Sequence, residues 1–449
     1  MSTQSAPRVA VVGGGISGIA AAYYLQLRGA RVDLFEAEAT LGGRMATATL
    51  NGREISLGGK NIGMNYSLFR EFVRDINNQQ FEHFGLNSSR IEDGRIKTFD
   101  GSRRVQGMLG FLRGATPRDI YRLLRLMQAV RRDRSEGDLG GPRLQRLHRR
   151  WGASRLTEAF SPGFAERFTR PLVLRMNGAE PAEVPVANFG TNLCTALDSY
   201  EQLREGVGPL LHDFAQRVTV HTQAPVVQLQ RADDGATTGV VIARHGSQER
   251  WQFDHVVLAT PAPVSARVLL PHAPAVAELL QHVRYYPVGI VVADYDRDVF
   301  SRDVRALVFP ADSPLSNAGA YGIDDRNRVR YTFSGRRARE LLASAPSVER
   351  LVLEGERALD PYIPVRDKQR LGFAGKVLTT GLCAYAEDFS GFAEALAREV
   401  SLLPGLSLTG DYLAGASLEN CFRAAKRCVD GIDLAAAQPP APTLAQAAA

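Results

Sequence analysis

The stretch Val9-Ala10-Val11-Val12-Gly13-Gly14-Gly15-Ile16-Ser17-Gly18, followed by Glu36, decides the fold of this chain. Its unbroken apolar run, rich in valine, reads as a strand buried on both faces of a parallel sheet. A helical pattern begins at once, so Gly13-x-Gly15-x-x-Gly18 occupies a strand-to-helix turn. Gly13 permits the tight turn, Gly15 lets a pyrophosphate approach the backbone, and Gly18 lets helix and strand pack closely. Phosphates placed there meet the free N–H groups of the helix N-terminus. Val32-Asp33-Leu34-Phe35-Glu36 reads as the second strand, ending in a carboxylate placed to hold a ribose hydroxyl pair. An acid at that point also disfavours a 2′-phosphate, and with it NADP. Strand, glycines, helix and acid together predict dinucleotide binding, whereas the glycines alone would be an ordinary turn.

Leu41-Gly42-Gly43-Arg44 follows the acid after a short loop, and a plain NAD domain needs neither a glycine pair nor an arginine there. From Arg8 to Arg44 the chain resembles the extended nucleotide motif of FAD-dependent oxidoreductases related to amine oxidases, protoporphyrinogen oxidase and phytoene desaturase. In that family Gly-Gly-Gly-x-Ser-Gly precedes the acid and Gly-Gly-Arg follows it. The resemblance implies FAD, held by Gly13, Gly15, Ser17, Gly18 and Glu36, with Gly43 and Arg44 against the pyrophosphate or flavin. A guanidinium of fixed charge offsets phosphate charge well.

A second signature lies near the other end. Leu406-Ser407-Leu408-Thr409-Gly410-Asp411-Tyr412 reads as a strand and a Gly-Asp turn, and Ala416-Ser417-Leu418-Glu419-Asn420-Cys421 opens a helix with Ser417 as its cap. The pair resembles the Gly-Asp-Tyr and Ala-Ser-Met-Glu-Gly-Ala of the carotenoid-desaturase branch. By that resemblance Gly410 and Asp411 meet the ribityl chain, and the amide around Leu418 points at the flavin N1/C2 carbonyl edge. A helix N-terminus there would stabilise negative charge on the reduced ring. Asn420-Cys421 and Ala424-Ala425 depart from the family's Gly-Ala and Ser-Gly, which alters packing under the ring. A weaker match, Asp254 to Pro263, resembles the strand on which the family's chain returns to its FAD domain. The family's adenine-side backbone contact falls near Val226.

At 449 residues the chain exceeds what one core usually supports, and the split motifs set the domain plan. Segments 1–85, 205–270 and 376–434 are expected to build the FAD-binding domain. Segments 86–204, read as helical, and 271–375, read as sheet with helices, are expected to build the substrate-binding domain. The fold class is therefore α/β: a Rossmann-like FAD-binding domain with a discontinuous α+β substrate domain. Met1 to Pro7 and the Ala/Pro-rich tail 435–449 read as disordered. Cys194, Cys383, Cys421 and Cys428 have neither metal-ligand spacing nor a disulfide-like framework, so they read as reduced, structural thiols of a cytoplasmic protein. Covalent flavin attachment through Cys383 is the lesser reading beside a packed thiol. No signal-peptide pattern or apolar run of membrane-spanning length is present.

The net charge of +6 is unevenly spread: Arg103 to Arg150 holds thirteen arginines against four acids. Within it Thr116-Pro117-Arg118-Asp119 has a helix-start pattern, and Ile120, Leu123, Leu124, Met127 and Val130 fall along one side of the helix that follows. An anionic ligand, a peripheral membrane contact and a solvated basic face all remain open. Nucleic acid is not expected, because no aromatic-rich or motif-bearing element accompanies the arginines.

For catalysis, Leu57-Gly58-Gly59-Lys60-Asn61-Ile62-Gly63 corresponds to a family segment beside the flavin, which makes Lys60 a candidate for holding a water, a carboxylate or the N5 edge. Tyr412 is the candidate wall of an aromatic substrate cage. The whole pattern predicts an FAD-dependent oxidoreductase (oxidase, dehydrogenase or desaturase) that moves hydride from a C–N or C–C site of a small metabolite, a lipophilic one included, to flavin N5. The Gly-Asp-Tyr and Ala-Ser-Leu-Glu lean to the desaturase branch. A non-redox mutase resembling UDP-galactopyranose mutase and a non-catalytic flavin-binding protein stay open as alternatives.

Overall fold

Five short strands, gathered from both ends and the middle of the chain, form the parallel sheet that the first motif predicts. In the computed structural model, which describes residues 6–83, 87–92, 94–100, 114–131, 138–139, 141–233, 235–244 and 246–434, they are β1 (Arg8–Val12), β2 (Arg31–Phe35), β3 (Thr219–His221), β4 (His255–Leu258) and β5 (Leu406–Leu408). Their order is β3-β2-β1-β4-β5, with every neighbour parallel. Val9, Ala10, Val11 and Val12 are buried, as an inner strand covered on both faces requires. Helices α1 (Ile16–Leu27) and α2 (Leu418–Asp430) share one core: Ile19, Tyr24 and Leu25 cluster with Phe422 and Val429. The Tyr24 and Phe422 rings meet edge-on at 6.1 Å. The last helix of the domain thus packs on the first.

Above this domain stands a seven-stranded, mostly antiparallel sheet. Its backbone is the pair Arg284–Tyr295 and Arg370–Tyr385, joined on one side by Arg328–Phe333, Asn317–Ala320 and Ala306–Val308. Val291, Ala293, Tyr331 and Phe333 pack beneath helices Arg336–Ala343 and Val348–Leu359. A helical layer, including Pro117–Arg131, Pro142–Trp151 and Val186–Ala196, closes the side through Leu126, Leu144 and Phe189. The expected α/β fold with a sheet-and-helix roof is what the chain adopts.

Several local expectations are corrected. Segment 86–204 is not helical throughout: Asn87–Glu92 and Arg95–Asp100 pair as a hairpin, turned at Gly94 (φ +71°), on the edge of the roof sheet. Residues 370–385 are one strand, so the 376 division falls inside a single element. In helix Pro117–Arg131 the packed stripe is Leu123, Leu126 and Val130, while Leu124 is 57% exposed. The assumed stripe put Leu124 inward, but Leu126 faces the core in its place. Pro7 is ordered, its carbonyl accepting the Arg31 N–H at 2.8 Å. The tail 435–449, Arg103, Arg104 and Arg132 lie outside the described residues.

The approach of α1 to β1 depends on Gly18, where an added Cβ would sit 1.8 Å from the Gly13 carbonyl oxygen. Gly18→Ala is expected to push the helix off the strand at a cost of about 1–3 kcal/mol, lowering the Tm of the cofactor-free protein by several degrees in a thermal melt. An unchanged Tm would show that the helix absorbs the methyl without loss.

Candidate FAD and substrate site

The two glycine motifs build one cradle. Gly13, at φ +106°, turns the chain out of β1 and donates its N–H to Phe35 O at 2.8 Å. A Cβ on Gly15 would touch nothing within 4 Å, so its face opens onto space at the N-terminus of α1. Gly42 N–H donates to Gly14 O at 2.8 Å, and Gly43 packs over Gly15. The buried Glu36 carboxylate accepts from Gly14 N–H at 2.7 Å and from Glu38 N–H at 2.8 Å. A carboxylate has about four acceptor positions, so room remains for sugar hydroxyls. Segment Gln223–Ala224 bonds to the Glu38 and Glu36 carbonyls, which brings Val226 close to this end. Ser17 is buried against Cys421 in the first turn of α2.

At the far end of the cradle, residues remote in sequence converge. Arg44 Nη1 meets Asp411 Oδ2 at 2.5 Å, and Tyr285 donates its hydroxyl to Asp411 Oδ1 at 2.7 Å. Burial alone would lower the pKa of Arg44, but the Asp411 charge and its hydrogen bond outweigh that and raise it. Both Asp411 oxygens are engaged and its side chain is 2% accessible, whereas Arg44 is 33% accessible. In this arrangement the arginine is the group presented, and Asp411 anchors it. Gly58 lies under the same loop: a Cβ there would come 1.9 Å from Arg44 O. Beside them α2 begins with Ser417 accepting from Asn420 N–H at 3.1 Å, and Ala416 N–H donates to Tyr385 Oη at 2.8 Å. Gly410 and Leu418 are placed at this junction, with Leu418 buried.

These surfaces suit a flavin dinucleotide: acceptors at the sugar end, open glycine backbone and helix N–H groups at the phosphates, and a fixed cation toward the ring.

Lys60 projects from the glycine loop toward the roof sheet, its Nζ 3.9 Å from the centre of the Tyr321 ring. Loss of hydration, reinforced by the nearby Arg330 and Arg53 charges and partly opposed by Asp325 and Glu82, lowers its pKa to about 7. Arg330 donates to Gly58 O at 2.7 Å and so ties the roof to this loop.

Tyr412 is not placed as a cage wall. It is fully buried in the core and its ring packs on Gly410, whereas a residue lining a ligand space would keep an accessible face. Cys383 is likewise buried, and burial pushes its thiol pKa up, away from the thiolate that covalent attachment requires. Three positions had no assigned role in the sequence reading. Gly14 makes room for Glu36, and Gly58 makes room for Arg44; both could be suspected from their motifs. Tyr285 carries no motif at all.

A family model described as flavin containing amine oxidoreductase matches residues 16–432. Among curated proteins, a 101-residue stretch is 33% identical to prenylcysteine oxidase 1 of Homo sapiens, covering 22% of this chain and 18% of that protein. A 44-residue stretch is 64% identical to carotenoid phi-ring synthase of Streptomyces griseus, covering 10% of this chain and 8% of that one. These matches span less than a fifth of the relatives' own lengths. Among solved structures, a putative protoporphyrinogen oxidase from Exiguobacterium sp. 255-15 superposes with a TM-score of 0.67 at 18% identity, covering 95% of this chain and 98% of that one. That likeness concerns the fold. Since the family match runs from the first helix to the last and through the roof between them, the chain belongs to the flavin-containing amine oxidoreductases, a family of FAD-dependent enzymes.

Proposed function

We propose that this chain dehydrogenates a C–N or C–C site of a small metabolite, acting as an oxidase, dehydrogenase or desaturase. The observation that carries this reading is the meeting of Arg44 with Asp411 beside the glycine cradle, a cation fixed where a flavin ring would join its phosphates. Bound FAD supplies the hydride acceptor. The chain's own residues do the rest: Gly15 and the α1 N-terminus receive phosphate, Glu36 orients the sugar, and the roof sheet excludes water. Lys60, with a pKa near 7, is suited to take the proton that leaves with the hydride, or to hold a water that does. The Gly410-Asp411-Tyr412 and Ala416-Ser417-Leu418-Glu419 motifs favour the desaturase side of this choice. Membership of an oxidoreductase family disfavours the mutase and the non-catalytic reading. Four unpaired thiols suit a reducing compartment such as the cytoplasm.

Membrane contact is a separate proposal. Helix Pro117–Arg131 exposes Tyr121 and Leu124 between the exposed Arg118 and Arg125, an apolar pair in a basic frame. Among the described residues no helix is long and apolar enough to cross a membrane.

The purified protein is expected to take up one FAD per chain. Gly15→Ala should leave the cofactor-free Tm unchanged and weaken FAD binding, because the added methyl meets only the ligand. Glu36→Ala should cost roughly 1.5–3 kcal/mol, about one to two decades of affinity in a flavin fluorescence titration. Wild-type affinity in both variants would refute the cradle.

The rate of flavin reduction should rise with pH through about 7, since Lys60 accepts a proton only once neutral. In Lys60→Met that step should flatten and the rate fall about 10²-fold with FAD retained. A stopped-flow profile like wild type's would remove Lys60 from the mechanism.

For the basic helix, sedimentation with anionic but not neutral liposomes, weakening with salt and abolished by Leu124→Asp, is the expected result. Equal recovery in the supernatant for both lipids would refute the contact.

A further inference from the structure

Lysine is rare in this chain. Of its 54 lysine and arginine residues, the lysines are Lys60, Lys97, Lys368, Lys376 and Lys426. Lys97 pairs with Glu92, Lys368 with Asp367 and Lys426 with Asp430 at 2.8 Å, and Lys376 with Glu38 at 3.7 Å. Lys60 is seated on an aromatic ring, with its Nζ buried and 3.9 Å from the centre of Tyr321. An arginine in that seat would keep its charge, whereas a lysine there can give up its proton.

The ring is fixed at both ends. Ser56 N–H donates to Tyr321 Oη at 2.7 Å, and Tyr321 N–H donates to Arg328 O at 2.8 Å on the roof. Ser56 Oγ also accepts from Gly58 N–H at 3.3 Å, and Arg330 donates to Gly58 O at 2.7 Å. Ser56 and the roof strand Arg328–Phe333 thus hold both the ring and the loop that carries Lys60, which sets the distance between them. The Arg328 guanidinium lies 5.6 Å from the same ring, but Asp294 neutralises it through contacts of 2.5 and 2.8 Å.

The charges that act on Lys60 come from several elements. They are Arg330 on the roof strand, Asp325 just ahead of that strand, Arg53 on strand Arg53–Ser56 and Glu82 on strand Phe81–His83. Burial and the two cations disfavour the ammonium, and the two carboxylates favour it. Tyr321 adds no charge, since burial raises the pKa of its hydroxyl. Its ring does add a preference, because an aromatic face attracts a cation and not a neutral amine.

We propose that Tyr321 is the positioning residue of Lys60, its anchored ring seating the ammonium that forms when Lys60 takes the proton released in dehydrogenation. The inference rests on the role given to Lys60 under the dehydrogenation reading and deepens it. The proton passes from the substrate to the Nζ lone pair, the hydride goes with its electron pair to bound FAD, and the ring face attracts the new cation. Tyr321 takes no proton itself and acts only through Lys60.

So few lysines make a direct test practical. The FAD-loaded protein is prepared with isotope-labelled lysine, and the Lys60 ε-methylene signal is assigned by NMR from its absence in Lys60→Met. Its protons are expected upfield of those of the other lysines, because an aromatic face shields what sits over it, and to titrate with a midpoint at about 7. Tyr321→Phe, which keeps the ring, should retain both properties. Tyr321→Leu should abolish the shielding and lower the midpoint by about half to one pH unit, since the form that the ring favours is the protonated one. Tyr321→Met, which also lacks a ring, carries the same expectations if the leucine variant does not fold. Wild-type protons without the upfield displacement, a ringless variant with the wild-type midpoint, or a phenylalanine variant that behaves as the ringless ones would each overturn the proposal. Flavin reduction as fast in Lys60→Met as in wild type would refute the parent reading instead, and the spectra would still decide whether the ring seats the ammonium.

Discussion

The partly buried contact of Arg44 with Asp411 is the constraint on which the rest of the site depends. It joins positions 367 residues apart, and Tyr285, a third distant residue, completes it. An ion pair withdrawn from water gains little net stability, because each charge loses its hydration. Losing one partner is another matter: the survivor is left as an uncompensated charge, at a cost of about 3–5 kcal/mol. The first βα unit, the return strand β5 and the roof strand Arg284–Tyr295 are therefore correct only together. Asp411, which the motif resemblance sets at the ribityl chain, has its two oxygens on Arg44 and Tyr285 in this arrangement.

The glycines divide into two kinds. At Gly18 and Gly58 an added methyl would meet backbone at under 2 Å, so these serve the packing of the chain on itself. At Gly15 and Gly59 the same methyl meets nothing within 4 Å, so these keep surface clear. One residue type thus reports on two different demands, and only the space around it tells them apart.

How much of this was legible in the sequence follows from the range of the forces involved. Gly13, Gly15, Gly18 and Glu36 could be read because a strand-turn-helix leaves few solutions over a short span of chain. The β5 strand and the start of α2 were legible for the same reason. The Tyr285 contact was not, since it joins residues 126 apart and follows no periodic pattern. Tyr412 was misjudged because adjacent residues on a short helical turn point different ways, and Asp411, not its neighbour, faces Arg44. The hairpin 87–100 was hidden by its polar, edge-strand composition, and Leu124 by a helix whose buried stripe keeps Leu123 and Val130 but takes in Leu126 instead.

Strand Arg370–Tyr385 reaches from the outer edge of the roof, where Arg370 pairs with Tyr295, down to the base of the site. Its last residue, Tyr385, adopts φ +67°, a conformation that costs a non-glycine residue on the order of 1–3 kcal/mol, and its hydroxyl holds the Ala416 amide just ahead of α2. The carbonyl of Cys383, two residues earlier, anchors Asn177 of the helical layer at 2.8 Å. Roof, helical layer and α2 are thereby fastened to one stiff rod. A roof that swung open as a rigid lid would have to drag the tip of that rod and release its strained end. Movement confined to side chains and loops beside the rod is cheaper than movement of the roof as a whole, because it leaves the Cys383 and Tyr385 anchors in place.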